Sequence, residues 1–107
     1  MATTYKASKA PRMRSVHPGE ILREEVLPAL GISVTQAARD LGISRQTLHR
    51  VLREEGGITP DLAVRLGKLC GNGARLWLRM QASYDLAEAE RRLAKTVARI
   101  PTRSAAA

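Results

Sequence analysis

Apolar residues recur along most of this chain at spacings of three and four, the period of helices that bury one face. Few segments alternate with period two, so the pattern predicts an all-α fold of five helices. The first runs from about Pro18 to Leu27, with Pro18 suited to a first turn and Glu20 and Glu24 to a positive N-terminal end. Pro28 is expected to end or kink it, and Gly31 to close the turn. The second spans Val34 to Leu41. Ser33 and Gln36 before and within it have capping-box spacing, and Gly42 stops it. The third is capped by Ser44 and runs from Arg45 to about Arg53. The fourth follows the cap Thr59, carries Pro60 and Asp61 in its first turn, and buries a stripe of Leu62, Ala63, Leu66, Leu69 and Cys70. The fifth starts near Ala74 and extends toward Ile100, where Pro101 stops it. Leu76, Trp77, Met80 and Tyr84 form its first apolar stripe, and Leu78, Leu86, Leu93 and Val97 lie partly off it.

The pattern divides the chain into a flexible basic arm (1–15), a helical domain (16–100) and a disordered tail (101–107). With 107 residues there is material for one modest core. Phe is absent, so that core is built from Leu, Ile, Val and Ala with little aromatic help. The net charge is +8. Residues 1–16 hold Lys6, Lys9, Arg12 and Arg14 and no acid, which suits a polyanionic partner. The single cysteine, Cys70, excludes an internal disulfide framework, and no zinc-type Cys/His spacing occurs. No metal or cofactor is expected. No segment has transmembrane length or the apolar core of a signal peptide, so the reading is cytoplasmic, with no membrane partner.

The informative stretch runs from Thr35 to Leu52: a helix, a sharp turn, and a second helix. Ala38 supplies the small residue that two steeply crossing helices need at their contact. Gly42 supplies a left-handed backbone for the turn. Ile43 plugs the core behind the turn, and Leu48, Val51 and Leu52 give the second helix a buried face. The opposite face then carries Arg45, Gln46, Thr47, His49 and Arg50, side-chain types that suit the edges of base pairs in a major groove. Thr35, Gln36, Ser44 and Arg53 are placed to hold phosphates. No acid interrupts the run from Arg45 to Arg53.

Residues 17–88 resemble the HigA-type antitoxins, within the phage-repressor-like (XRE/Cro) class of helix-turn-helix regulators. Four blocks carry the resemblance: His17-Pro-Gly-Glu-Ile-Leu22, Leu41-Gly-Ile-Ser-Arg-Gln-Thr47, Ile58-Thr-Pro60, and Leu76-Trp-Leu78 with Gln81-Ala-Ser-Tyr-Asp-Leu86. The resemblance implies a five-helix repressor-like domain with an extended C-terminal helix. It also implies a homodimer on a palindromic double-stranded operator in its own promoter, and a partner, a small RelE-like ribonuclease toxin. One segment departs from the family: an Asn-Gly-type turn after Leu52 is replaced by Arg53-Glu-Glu-Gly-Gly57.

Other readings are an orphan regulator without a toxin, a hydrolase or nuclease, and an RNA-binding module. The enzyme reading would rest on His17, His49, Glu24 and Glu25. His17 precedes a proline at a helix start, where capping is its natural role, and His49 has no carboxylate among its helical neighbours. Glu24 and Glu25 point about 100° apart. No catalytic residue is therefore assigned. RNA recognition would need exposed aromatics for stacking, and the only aromatics are Tyr5, Trp77 and Tyr84.

Overall fold

A computed structural model of the protein describes residues 15–105. Apart from Ser15, the expected basic arm lies outside the described residues. Of the expected tail, residues 101–105 are exposed and without regular secondary structure. Every regular element among the described residues is helical. The order is α1 (Pro18–Ile21), a π-helical turn (Leu22–Val26), α2 (Leu27–Leu30), α3 (Val34–Leu41), α4 (Arg45–Leu52), α5 (Pro60–Cys70), α6 (Ala74–Arg92) and α7 (Ala94–Ala98).

Local chemistry sets most of these boundaries. His17 Nδ1 accepts the Gly19 N–H at 2.9 Å, Ser33 Oγ that of Gln36 at 3.0 Å, and Ser44 Oγ that of Thr47 at 3.0 Å. Thr59 Oγ1 does the same for Leu62 at 3.2 Å. Each cap satisfies a donor that the first turn of a helix leaves orphaned. Only half of the expected capping box forms at α3. Gln36 does not reach back to Ser33; its side chain donates to Asp40 and accepts from Arg39.

Two boundaries differ from the sequence pattern. Pro28 does not end the first helix, because the chain widens just upstream and the Leu27 N–H bonds to Leu22 O, five residues back. A proline lacks the donor and crowds the preceding turn, and a π-turn absorbs that misfit without breaking the helix. The helix then ends at Gly31, in the left-handed region at φ 68°. The expected fifth helix is divided at Leu93, separating α6 from the five-residue α7.

The core is aliphatic apart from Trp77. Leu22, Leu41, Leu48, Val51, Leu52, Leu62 and Leu66 share it, together with Ala37, Ala38 and Ala63. Trp77 is buried and its Nε1–H donates to Asn72 Oδ1 at 3.0 Å, so its one polar atom is satisfied. Gln81, one turn further along α6, is also buried. It accepts the Ile58 N–H at 2.7 Å and donates to Asp85 at 3.0 Å, pinning the loop before α5 onto α6. His17 is buried edge-on against Tyr84, with ring centroids 4.9 Å apart. Leu78 packs partly against the core rather than standing free, whereas Leu76 is largely exposed.

α1 and α4 approach closely at Gly19. A Cβ at Gly19 would overlap the carbonyl oxygen of Val51, a backbone atom that cannot turn aside. Gly19→Ala should force the two helices apart at a cost of about 1–3 kcal/mol, the range for overpacking a tight contact. Thermal melting checks this; an unchanged midpoint would show that the approach carries no constraint.

Candidate nucleic-acid interface

α3 and α4 carry the candidate interface, and the turn between them sets its geometry. Gly42 adopts φ 72°, and its N–H bonds to Arg39 O at 3.1 Å while that of Ile43 bonds to Ala38 O at 3.0 Å. This pair of bonds is the Schellman closure of a helix, which needs a left-handed residue followed by an apolar one. Gly42 and Ile43 meet both needs, and Ile43 packs against the core as expected. Ala38 is buried at the helix contact. Ser44 then opens α4 at once.

Burial of Leu48, Val51 and Leu52 turns the rest of α4 outward. Arg45, Gln46, Thr47 and Arg50 are exposed and His49 is half-buried. Among the residues assigned to phosphates, Thr35, Ser44 and Arg53 are exposed and Gln36 is half-buried. The fold brings several of these together. Arg45 Nη1 lies 3.5 Å from Thr35 Oγ1, linking the first turns of the two helices, and Ser44 Oγ and Thr47 Oγ1 are 2.8 Å apart. The result is one polar surface formed by two helix N-termini, with backbone donors, hydroxyls, an amide and a guanidinium. It can donate to phosphate oxygens and both donate to and accept from base edges.

The far end of α4 is different. Arg50 lies against Gly56, and Arg53 pairs with Glu55 at 3.3 Å. Arg53 is thus partly neutralised within its own loop, in contrast to Arg45. The segment that departs from the family forms a second Schellman closure: Glu54 N–H bonds to Val51 O and Glu55 N–H to Arg50 O. The left-handed residue here is Glu54, at φ 63°.

Three polar residues beside this surface escaped the sequence pattern. Arg23 Nη1 donates to Leu52 O at 2.5 Å and pairs with Glu24 and Glu54. Its hydrogen bond to Glu24, more than any other contact, raises its pKa above the ordinary arginine value. Arg65 reaches the carbonyls of Leu41 and Gly42 from α5. Gln81 holds the loop that follows α4 through Ile58. All three act across long sequence separations, which helical spacing does not reveal.

The residues considered for an enzyme do not converge. His17 is committed to capping α1, Glu24 to Arg23, and His49 sits on α4. Partial burial pushes the Cys70 thiol up, away from the reactive thiolate. Among the described residues no group of three His, Cys, Asp or Glu side chains is placed to hold a metal ion. No helix among them is long and apolar enough to cross a membrane.

The helix-turn-helix family model matches residues 22–77. The chain is 46% identical over 78 residues to virulence-associated protein I of Dichelobacter nodosus, covering 73% of this chain and 72% of that protein. It is similar in structure to the Pseudomonas aeruginosa antitoxin HigA solved with the higBA promoter. The TM-score there is 0.80 at 38% identity, over 85% of this chain and 100% of that one. Antitoxin GraA in complex with its operator gives the same TM-score and identity, over 88% of this chain and 95% of that one.

The cap that starts α4 is open to a direct test. Ser44→Ala removes the acceptor for the Thr47 N–H and the partner of the Thr47 hydroxyl. Urea unfolding should show a loss of about 1 kcal/mol, the usual worth of an N-cap. Stability equal to wild type would show that water replaces the cap without cost.

Proposed function

The chain belongs to the helix-turn-helix family and resembles its HigA-type antitoxins, and from that we propose that it is the antitoxin of a toxin–antitoxin pair. In this reading it binds a palindromic operator in its own promoter as a homodimer, represses transcription, and neutralises a small ribonuclease toxin. It works in the cytoplasm, where its operator is. The observation that carries the reading is the polar surface at the joined N-termini of α3 and α4, where Arg45 reaches Thr35.

Each residue has a role on that surface. Arg45, Gln46, Thr47, His49 and Arg50 read base edges: Arg pairs with guanine, Gln with adenine, and the Thr methyl contacts thymine. The N-terminal half of such a helix is the part that enters the groove, so Arg45 and Gln46 carry most of the discrimination. Thr35, Gln36, Ser44 and Arg53 hold the backbone. One α4 spans only a few base pairs, too few to find a site among many competitors. A second copy related by two-fold symmetry doubles the reading.

The surface for that second copy is the outer side of α6 and α7. Leu86 is 60% exposed and Val97 54%, with Leu93 and Ile100 also exposed nearby. Large apolar side chains left exposed along α6, α7 and the turn after them suit cover by a partner.

Co-expression with the product of the adjacent gene, followed by size-exclusion chromatography and a promoter-fragment shift, tests the whole reading. A stable complex and a shifted fragment are expected. An antitoxin is ruled out if the neighbour never co-elutes, and a regulator if the promoter is never shifted.

Two narrower outcomes follow. Gln46→Ala and Arg45→Ala should each cost about 1–3 kcal/mol of operator affinity and relax the preference at one base pair. Undiminished binding by both, at moderate salt, would remove them from the reading face. Truncation after Asp85, or Asp at both Leu86 and Leu93, should weaken dimerisation and operator affinity together while the domain stays helical. Sedimentation equilibrium decides: a truncated protein that pairs as tightly as the full chain places the dimer contact elsewhere.

A further inference from the structure

Two arginines take carbonyl groups on either side of α4 that backbone donors leave over. At the turn before α4, backbone donors take the carbonyls of Ala38 and Arg39. Those of Leu41 and Gly42 accept from Arg65 Nη1, at 2.7 and 3.3 Å. Arg65 comes from α5 and is itself fixed by Asp61 Oδ1, 2.5 Å from its Nε. At the end of α4, backbone donors take the carbonyls of His49, Arg50 and Val51. That of Leu52 accepts from Arg23 Nη1, and Arg23 comes from the π-turn, held by Glu24 at 2.8 Å and Glu54 at 3.5 Å.

The geometry points to Arg65 and Arg23 as positioning residues that set the roll and slide of α4, and so the specificity of DNA recognition. The inference rests on the reading of α4 as the recognition helix. Three buried apolar side chains hold α4 to the core, and their attraction has no direction. An eight-residue helix so held is fixed in depth by packing, and its roll and slide are set less sharply by those three side chains than by directional bonds. Hydrogen bonds do have direction, and a guanidinium is a rigid planar donor. One on the turn that leads into α4 and one on its last carbonyl, each held by a carboxylate, restrict that freedom. Base-edge contacts need placement within about 0.5 Å. Phosphate contacts made by long side chains tolerate more. Loss of a clamp should therefore lower operator binding more than binding to unrelated DNA.

Fluorescence anisotropy on two duplexes of equal length tests this. One carries the promoter sequence and the other is its scramble, at one salt concentration and at a temperature where circular dichroism shows every variant folded. Arg65→Gln and Arg23→Gln are compared with Arg75→Gln, an exposed residue on the first turn of α6 that loses the same charge. All three should weaken scrambled-duplex binding to the same small extent. Only the first two should lower operator affinity further, by about tenfold, the loss of one good base contact. An operator-to-scramble ratio equal to that of Arg75→Gln would overturn the inference and leave both arginines a purely structural role. Should Arg65→Gln not fold, Arg65→Lys keeps the charge and can serve one carbonyl but not the fork. It should bind the scramble like wild type and the operator several-fold more weakly; wild-type operator binding would overturn the inference. A wild-type protein that does not distinguish the two duplexes defeats the functional reading itself, a result separate from any difference among the variants.

Discussion

α4 has eight residues, well short of the roughly 12–15 at which an isolated helix begins to hold in water. It persists because Leu48, Val51 and Leu52 are removed from solvent, each worth about 1.5–3 kcal/mol when fully buried. That burial constrains its neighbours. A core without Phe gains contact by bringing helices close: Gly19 on α1 lies against α4, and the buried face of α3 carries Ala37 and Ala38. The same burial decides what faces outward. Arg45, Gln46, Thr47 and Arg50 are exposed because the apolar stripe leaves them no other direction.

Charge along this surface has a polarity that the net value of +8 conceals. The joined N-termini of α3 and α4 present Thr35, Ser44, Arg45, Gln46 and Thr47 without an acid among them, and the helix ends add positive potential. At the other end of α4, Glu54 and Glu55 pair with Arg23 and Arg53. These are exposed pairs that gain little stability, on the order of 0–1 kcal/mol. Their larger effect is on approach. A polyanion would meet an arginine and helix dipoles at the start of α4 and paired charge at its end.

Most of the fold was legible because its signals are local. Ser33, Ser44 and Thr59 act within three residues of where they stand, and Gly42 with Ile43 closes a turn that two residue types suffice to specify. Helical spacing alone placed Trp77 inside. Pro28 misled because a missing donor can be absorbed by widening the turn before it as well as by stopping the helix. Gln81 occupies an apolar register position on α6 and is polar because it must hold the Ile58 N–H, a partner 23 residues away. Arg65 and Arg23 bond across 24 and 29 residues, and nothing in their own segments distinguishes them from solvated arginines. Local chemistry thus located the surface, while the contacts that hold it in place belong to the tertiary fold.

The two closures of α3 and α4 show how local and distant terms exchange. Both have the same backbone bonds, but the first places Gly42 in the left-handed position and the second places Glu54 there. For a residue with a Cβ that conformation costs about 1–2 kcal/mol. The ion pair between Glu54 and Arg23 is too exposed to offset this alone. What Glu54 adds is a hold on the arginine that caps Leu52 O, in a part-buried contact. Hydrogen bonds from charged donors are worth about 1.5–3 kcal/mol, and an orphaned buried carbonyl costs a similar amount. The strained glutamate is therefore best understood together with Arg23. A glycine would relax the backbone, as at Gly42, yet leave Arg23 to Glu24 alone, its neighbour on the π-turn. At the first closure the division is reversed: the glycine relaxes the turn, and Asp61 on α5 supplies the carboxylate that holds Arg65. Each of the closures that flank α4 thus combines one left-handed residue, one guanidinium and at least one carboxylate, and the two differ in whether turn and carboxylate reside in the same residue.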